Sequence, residues 1–258
     1  MQLGSAVGAF VHANLRNLPE HKLIVYVKRM NQATVENLHA LKRPIVWDIL
    51  DSWPQPAGNL WPRSQAVLWL QAEIKRVQPS AMVFPTQQML KDSEWRGPSL
   101  VLPHHAWEKY SPMDNVGIVR VAYEGAEHYL GVWRERIAMQ CKVRGWQFTT
   151  KTPLDGASIG IAVREQNGYP ARYWKSNVKL ANIQACGIPA ICSPEQGYRE
   201  FSSGAELWVE SINELRDAFD LLTDEQQRKQ RGALMHKSRI SLSNVATRYR
   251  KWLNELNS

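Results

Sequence analysis

Short apolar segments alternate along the chain with longer segments in which apolar residues recur every three or four positions. The predicted strands cover residues 22–27, 44–50, 80–85, 99–103, 116–123, 146–150, 157–163 and 189–193. The predicted helices cover residues 5–16, 31–41, 64–77, 126–144, 176–186, 211–221, 223–235 and 241–256. Strands that alternate with helices are typical of parallel sheets with helices on both faces. The sequence therefore predicts an α/β fold.

The alternation is interrupted at residues 104–115, a polar segment that contains proline. We expect two small, doubly wound, Rossmann-like domains on either side of this segment. The predicted boundaries give an N-terminal domain at 1–114 and a C-terminal domain at 115–240. A basic C-terminal helix at 241–258 can pack back across the domains.

The composition is that of an ordinary globular protein, with 44% hydrophobic and 22% charged residues in 258. The sequence has no apolar run long enough to span a membrane and no signal-peptide pattern at its N-terminus, so we expect a cytoplasmic protein. Its three cysteines follow no metal-binding spacing, which predicts free thiols and no metal site.

The net charge is +8, from 32 basic and 24 acidic residues. Such an excess predicts attraction to an anionic partner, namely a nucleotide, a nucleic acid or an acidic membrane surface. Basic residues are densest between Arg228 and Lys251. A solvated helical face is the other explanation of this run.

The segment KSNVKLANIQACGIPAICSPE combines a helix start, a helix end and a short strand. Ser176 or Asn177 is the expected N-cap, with Lys175 and Lys179 near the first turn. Lysines there oppose the helix dipole unless an anion is bound, so this helix start favours phosphate binding. The alternative is that both lysines are simply solvated. Gly187 is expected to end the helix.

The segment KSNVKLANIQACGIPAICSPEQGYREF resembles the donor-binding segment of GT-B glycosyltransferases. GIVRVAYEGAEHYL at 117–130 is similar to the first strand and glycine turn of their C-terminal domain. DGASIGIAVRE at 155–165 is similar to the strand before the donor loop. The N-terminal segments VYVKRM…RPIVWDILDSWP and VFPTQQML…LVLPHHA resemble the strand–loop units of the same family.

This resemblance implies two domains that face a cleft, and a nucleotide-diphosphate sugar, with UDP as the expected nucleotide, bound by the C-terminal domain. It implies no prosthetic group. The residues expected at the donor are Arg120, Glu124, Gly125, Arg164, Lys175, Ser176, Lys179 and Asn182. A surface salt bridge is the alternative for Arg164. Asn182 and Trp174 stand where many retaining members carry two glutamates.

An inverting transferase also needs a general base. Asp51, which follows an apolar strand, is the first choice, whereas the neighbouring Asp48 is expected to cap the loop or pair with a lysine. His104 and His105 follow the last N-terminal strand, and we expect one of them at the donor or acceptor. The alternative for the histidines is a hydrogen-bonded loop role. Ser5, in the small-residue turn GSAVGAF, is expected to line the cleft unless that turn is an ordinary helix start.

The chain has 11 tryptophans. Trp47, Trp69 and Trp133 follow the apolar periodicity and are expected in the core. Trp53, Trp61, Trp95 and Trp107 fall in loop-like segments of the N-terminal domain. Exposed rings there can stack on sugars or extruded bases, and Trp53 is the one we expect at the acceptor. Half-buried packing is the alternative.

These features together predict a nucleotide-sugar-dependent glycosyltransferase. The expected acceptor is a hydroxymethylated base in DNA, as in virus-type DNA-modifying transferases. The alternative acceptor is a glycolipid or surface polysaccharide precursor, with the basic tail on an anionic membrane. A non-catalytic nucleotide or nucleic-acid binding module is the alternative from another class. No protein partner is implied.

Overall fold

The computed structural model describes residues 2–9, 22–112, 117–150, 153–165 and 168–256. The chain divides into two compact units. The first comprises Met1–Pro103, Asn167–Ser176 and Leu242–Ser258, and the second comprises His104–Gln166 and Asn177–Ser241. The sequence analysis set its boundaries at 114/115 and 240/241, and it did not anticipate that Asn167–Ser176 joins the first unit.

The first unit contains a parallel sheet of four strands in the order β1-β2-β3-β4. Its strands are β1 Ile24–Val27, β2 Ile45–Asp48, β3 Ala81–Phe84 and β4 Ser99–Val101. Its helices are α1 Gln2–Ala6, α2 Gln32–Ala40, α3 Arg63–Val77, α4 Gln87–Ser93, α6 Tyr169–Tyr173 and α11 Leu242–Glu255, with a 3₁₀ turn at Ala57–Leu60.

The second unit contains a parallel sheet of five strands in the order β6-β5-β7-β8-β9. Its strands are β5 Arg120–Tyr123, β6 Gln147–Thr150, β7 Ile159–Ala162, β8 Ala190–Cys192 and β9 Leu207–Trp208. Its helices are α5 Trp133–Val143, α7 Val178–Cys186, α8 Gln196–Glu200, α9 Ile212–Leu221 and α10 Glu225–Lys237, with a 3₁₀ turn at Glu127–Tyr129. The strand order reverses between β5 and β7, which is where open α/β sheets bind ligands at the carboxyl ends of their strands.

Helices cover both faces of the second sheet. Apolar residues of α5 and α9, among them Ile137 and Phe219, form one buried cluster with β5, β7 and β8. Apolar residues of α7 and α10, among them Leu180 and Met235, form the other. The three cysteines are buried free thiols, as predicted. The predicted fold class, α/β with doubly wound parallel sheets, is confirmed.

Several details differ from the sequence-based expectations. Every predicted strand is shorter in the structure, and β9, α4, α6 and α8 were not predicted. These helices have five to seven residues, too few to give a clear helical period. The predicted helix at 5–16 is described only through residue 9, where α1 ends at Ala6, and the start of the predicted strand at 116–123 lies outside the described residues.

Tryptophans supply much of the core of the first unit. Trp47 and Trp174 are fully buried there, and Trp69 packs against the same cluster half-buried. Trp53 is also fully buried, and its indole N–H donates to Asn59 Oδ1 at 2.7 Å. The expectation of an exposed Trp53 ring is therefore wrong, because the loop after β2 folds back into the core.

The buried carboxylate of Asp92 joins α6 to the rest of the first unit. Its Oδ2 accepts hydrogen bonds from the Tyr169 hydroxyl and the Trp174 indole N–H, both at 2.9 Å. Its Oδ1 accepts from Arg63 at 2.9 Å and from Gln88 at 3.1 Å. Four hydrogen-bond donors thus satisfy a carboxylate that is buried away from water. These bonds fix α6 against α3 and α4.

Helix α11 packs its apolar face within the first unit. Val245, Ala246 and Tyr249 are buried, and Tyr249 stacks with Trp252 at 6.1 Å between ring centroids. The helix contacts α1. Within the described residues, no helix has both the length and the apolar character needed to cross a bilayer.

Replacing Asp92 by alanine should lower the free energy of unfolding by roughly 2–4 kcal/mol. Trp174 and Tyr169 would lose their acceptor together, and each unpaired buried donor costs about 1–3 kcal/mol. Chemical denaturation measures the effect. Lys91→Ala is the control, because Lys91 is an exposed neighbour of Asp92 on α4 and should change stability little. Equal stabilities of the two variants would contradict this role of Asp92.

Candidate functional site

The carboxyl edge of the second sheet brings a glycine, a lysine and a tyrosine together. Gly125 follows β5 with φ of +152°, a conformation that favours glycine. A Cβ atom at this position would lie 3.1 Å from Lys179 Nζ and 3.2 Å from the hydroxyl of Tyr123. The absence of a side chain therefore lets these two polar groups approach the same stretch of backbone.

Helix α7 begins at Val178, beside this glycine turn. Its N-cap is Asn177, whose side chain makes no capping hydrogen bond. Asn177 Oδ1 instead accepts from the backbone N–H of His104 at 2.7 Å, and Asn177 Nδ2 donates to the His104 carbonyl at 3.2 Å. Asn177 is one of the two residues expected as the N-cap, and the other, Ser176, is buried. Gly187 ends the helix as predicted, with φ of +64°.

Lys179 occupies the first turn of α7. Its ammonium lies over the ring of Tyr123, 5.1 Å from the ring centroid. A cation in the first turn opposes the helix dipole, which makes this position unfavourable for a lysine. The Tyr123 ring offsets part of that cost by a cation–π contact. The position suits a group that neutralises an incoming anion.

The predicted donor residues Glu124 and Asn182 bind each other. Asn182 Nδ2 donates to Glu124 Oε2 at 2.6 Å, and Asn182 Oδ1 accepts from the backbone N–H of Trp107 at 2.9 Å. The hydroxyl of Tyr110 donates to Glu124 Oε1. Burial, and then the neighbouring Glu124, raise the pKa of Tyr110, so the hydroxyl remains a donor. Asn182 is therefore engaged by the protein on both sides of its amide, and Glu124 is held in a fixed position.

Arg164 forms a buried ion pair after β7. Its Nε donates to Glu195 Oε1 at 2.5 Å, and its backbone N–H donates to Ser193 Oγ at 3.2 Å. Burial opposes the charge of Arg164, but the attraction of Glu195 and Tyr198 outweighs it and raises the pKa of the guanidinium. The alternative of a surface salt bridge is wrong, because both side chains are buried.

Arg120 lies at the opposite edge of the second sheet. It is the first residue of β5, and its guanidinium donates to the carbonyl of Gly156 at 3.0 Å. Arg120 was expected at the donor, together with Glu124 and Gly125 at the carboxyl end of the strand. This position is wrong because β5 starts at Arg120 and its carboxyl end is Tyr123.

In the first unit, Lys175 pairs with Asp51 beyond the carboxyl end of β2. Lys175 Nζ lies 3.0 Å from Asp51 Oδ2 and 3.3 Å from Gln55 Oε1, and it lies over the Trp53 ring at 5.3 Å. Asp51 has a left-handed backbone, with φ of +49°. Its Oδ1 is buried and has no hydrogen-bond partner among the described residues. Lys175 precedes the N-cap of α7 by two residues.

Asp48, the last residue of β2, is a second carboxylate in the first unit. Burial raises its pKa to about 7, although the backbone N–H of Leu50, which donates to Oδ1 at 3.3 Å, opposes the shift. Of the two roles expected for Asp48, the hydrogen bond from Leu50 agrees with the loop cap, and no lysine is among its hydrogen bonds and ion pairs within the described residues.

The remaining predicted residues occupy separate positions. His104 and His105 belong to the second unit, with ring centroids 5.3 Å apart. Their Nδ1 atoms lie 2.9 Å and 2.8 Å from the carbonyls of His105 and Ala106, which agrees with a hydrogen-bonded loop role. Ser5 is an exposed residue of α1 in the first unit.

Sequence reasoning missed two residues of this edge, Tyr123 and Tyr110. Tyr123 was treated as an apolar strand residue, although it directly precedes Glu124 and Gly125. Its place before the glycine turn was the available signal. Tyr110 lies far from Glu124 in sequence, and nothing in the chain marks their contact. Within the described residues, no three His, Cys, Asp or Glu side chains are grouped to hold a metal ion.

No protein-family model matches the sequence, and a search of curated proteins gives no match. Among solved structures, the chain is similar to the glycotransferase of kitacinnamycin, at 12% identity over 94% of this chain and 77% of that chain, with a TM-score of 0.47. It is similar to CalG4, the calicheamicin glycosyltransferase, at 12% identity over 91% and 74%, with a TM-score of 0.38. It is also similar to AviGT4, a glycosyltransferase involved in avilamycin A biosynthesis, at 9% identity over 88% and 89%, with a TM-score of 0.48. Similarity this low carries no conclusion about the reaction.

Proposed function

We propose that the protein is a glycosyltransferase that uses a nucleotide-diphosphate sugar. The observation that carries the proposal is the convergence of Gly125, Lys179 and the start of α7 at the carboxyl edge of the second sheet. Free amides, a helix dipole and an ammonium favour a bound diphosphate at such an edge. The segments that resemble GT-B glycosyltransferases include all three features.

The chemistry of sugar transfer explains why these groups are needed. The bond to the sugar breaks as the nucleoside diphosphate leaves, and negative charge grows on the leaving phosphate oxygen. Lys179 and the N–H groups at the start of α7 would stabilise that charge. Gly125 would let the diphosphate approach the backbone. Glu124, held by Tyr110 and Asn182, would accept a hydrogen bond from a hydroxyl group of the sugar donor.

The finer features of the proposal follow the resemblance. They are membership of the GT-B glycosyltransferases, UDP as the nucleotide, and a cytoplasmic location. Lys179 lies in the first turn of α7 and borders the glycine turn at Gly125, so we assign the diphosphate to Lys179 first.

Asp51 is the proposed general base. Its Oδ2 is paired with Lys175, whereas Oδ1 has no partner among the described residues and can accept a proton from an acceptor hydroxyl. His104 is the second candidate, with its Nδ1 beside the carbonyl of His105. Transfer with retention would need neither residue as a base.

The acceptor we propose is a hydroxymethylated base in DNA. The net charge of +8 supports attraction to a polyanion. Trp107 is 47% exposed, and Lys109 lies over its ring at 4.0 Å, which gives a basic and aromatic surface of the kind that contacts bases. A glycolipid acceptor is less well supported, because Val245, Ala246 and Tyr249, on the apolar face of α11, are buried.

Lys179→Met should weaken UDP binding by roughly tenfold or more, because a hydrogen bond to a charged group contributes about 1.5–3 kcal/mol. Isothermal titration calorimetry measures the UDP affinity of the variant and of the wild type. Lys229→Met is the matched control, since Lys229 is exposed on α10. The same UDP affinity in the Lys179 variant and the wild type would exclude the proposed donor site, and UDP binding without transfer to any acceptor would indicate a non-catalytic binding module.

Asp51→Asn should lower kcat by roughly 10²-fold or more while donor affinity stays the same, because a general base acts only in the chemical step. Asp48→Asn is the comparison, since it also removes a carboxylate charge near the end of β2 and should leave kcat near normal. Single-turnover transfer at saturating donor separates the two. If Asp48→Asn were the inactive variant, Asp51 would not be the base.

Duplex DNA with hydroxymethylated bases should bind tightly and become glycosylated, with binding that weakens as salt increases. Each phosphate contact contributes a slope of about −0.9 in log K against log salt. Gel-shift titrations measure the binding and its salt dependence, and mass analysis of the product measures the glycosylation. Anionic vesicles are the comparison arm. Vesicle binding combined with no measurable duplex affinity would contradict a DNA acceptor and favour the lipid.

A further inference from the structure

The hydroxyl of Tyr123 is a buried polar group that the fold does not use. Tyr123 ends β5 and is fully buried, yet its hydroxyl has no hydrogen-bond partner among the described residues. An unpaired buried hydroxyl reduces stability, and buried polar groups are otherwise almost always paired. A phenylalanine would fill the same space at no such cost. The hydroxyl therefore calls for a partner that comes from outside the chain.

The surroundings of this hydroxyl indicate the chemistry of that partner. A Cβ atom added at Gly125 would lie 3.2 Å from the hydroxyl and 3.1 Å from Lys179 Nζ. Both groups therefore border the same space beside the glycine. The start of α7, without a side-chain cap from Asn177, lies at the same edge. A hydroxyl donor, an ammonium and helix amides together suit an anion with several oxygens.

The hydroxyl is suited to donate. Burial raises the pKa of Tyr123 to about 12; Arg164 opposes the shift, whereas Glu195 and Tyr129 add to it. The group therefore keeps its proton at neutral pH. A protonated phenol donates to a phosphate oxygen, whereas an ionised one would repel it.

We infer that Tyr123 is a ligand of the donor diphosphate, to which its hydroxyl donates a hydrogen bond beside Lys179. This inference rests on the proposed function and adds a residue that the sequence analysis did not identify. In the structure the Lys179 ammonium lies across the Tyr123 ring. The flexible lysine side chain would move from the ring to a phosphate oxygen as the anion enters, which opens the way to the hydroxyl.

The test compares the wild type with Tyr123→Phe, which removes only the hydroxyl and keeps the ring under Lys179. Calorimetry with UDP and with inorganic pyrophosphate gives the affinities, and thermal unfolding without ligand gives Tm. Tyr249→Phe is the matched control, because Tyr249 is a buried tyrosine of the first unit whose hydroxyl is also unpaired within the described residues.

We expect Tyr123→Phe to bind UDP and pyrophosphate roughly 10- to 100-fold more weakly than the wild type. Its Tm without ligand should equal or exceed that of the wild type, because the variant removes an unpaired buried group. Tyr249→Phe should share this effect on Tm and leave both affinities unchanged. Weaker binding without lost stability is a result that a purely structural tyrosine does not give.

Equal affinities of the wild type and Tyr123→Phe would overturn the inference and leave the proposed function standing. A Tm lowered by several degrees would also overturn it, because the hydroxyl would then have a partner in the protein. Binding of pyrophosphate but not UDP, with the expected loss in Tyr123→Phe, would support the Tyr123 ligand and contradict the nucleotide-sugar donor. A wild type that binds neither would overturn both.

Discussion

The buried carboxylate of Asp92 is the interaction on which the rest of the arrangement depends. It accepts from Tyr169 and Trp174 and so fixes the segment that returns to the first unit. Lys175, the next residue, then reaches Asp51, and α7 begins only three residues later. A buried carboxylate without its hydrogen-bond donors is strongly unfavourable, so Tyr169 and Trp174 must stay in contact with Asp92. Trp174 thus has a structural role at a position where the resemblance implies a glutamate in many relatives.

At the second sheet, backbone conformation and charge act together. Gly125 leaves space, Lys179 supplies a cation, and the start of α7 supplies amides and a positive dipole end. A lysine at a helix start reduces stability, and so does the buried hydroxyl of Tyr123, which has no partner in the described part of the chain. Features that cost stability and lie at one edge are typical of a binding site, because an added ligand removes their cost.

The sequence predicted the parallel α/β class because alternation of strands and helices depends only on local periodicity. The resemblance to GT-B glycosyltransferases also implied that Gly125 and Lys179 both lie at the donor. The sequence analysis misplaced Arg120 because the apolar segment extends beyond the residues that pair in the sheet, so the sequence does not show where the strand begins. It could not foresee the burial of Trp53 or the partners of Asp92 and Glu124, because these contacts join residues that are distant in sequence.

The central claim is that the carboxyl edge of the second sheet binds the diphosphate of a nucleotide sugar. A crystal structure of the protein with UDP tests it most directly. The account predicts phosphate oxygens within about 3 Å of Lys179 Nζ, the Tyr123 hydroxyl and the first amides of α7. Phosphates bound elsewhere, with Lys179 still across the Tyr123 ring, would contradict it.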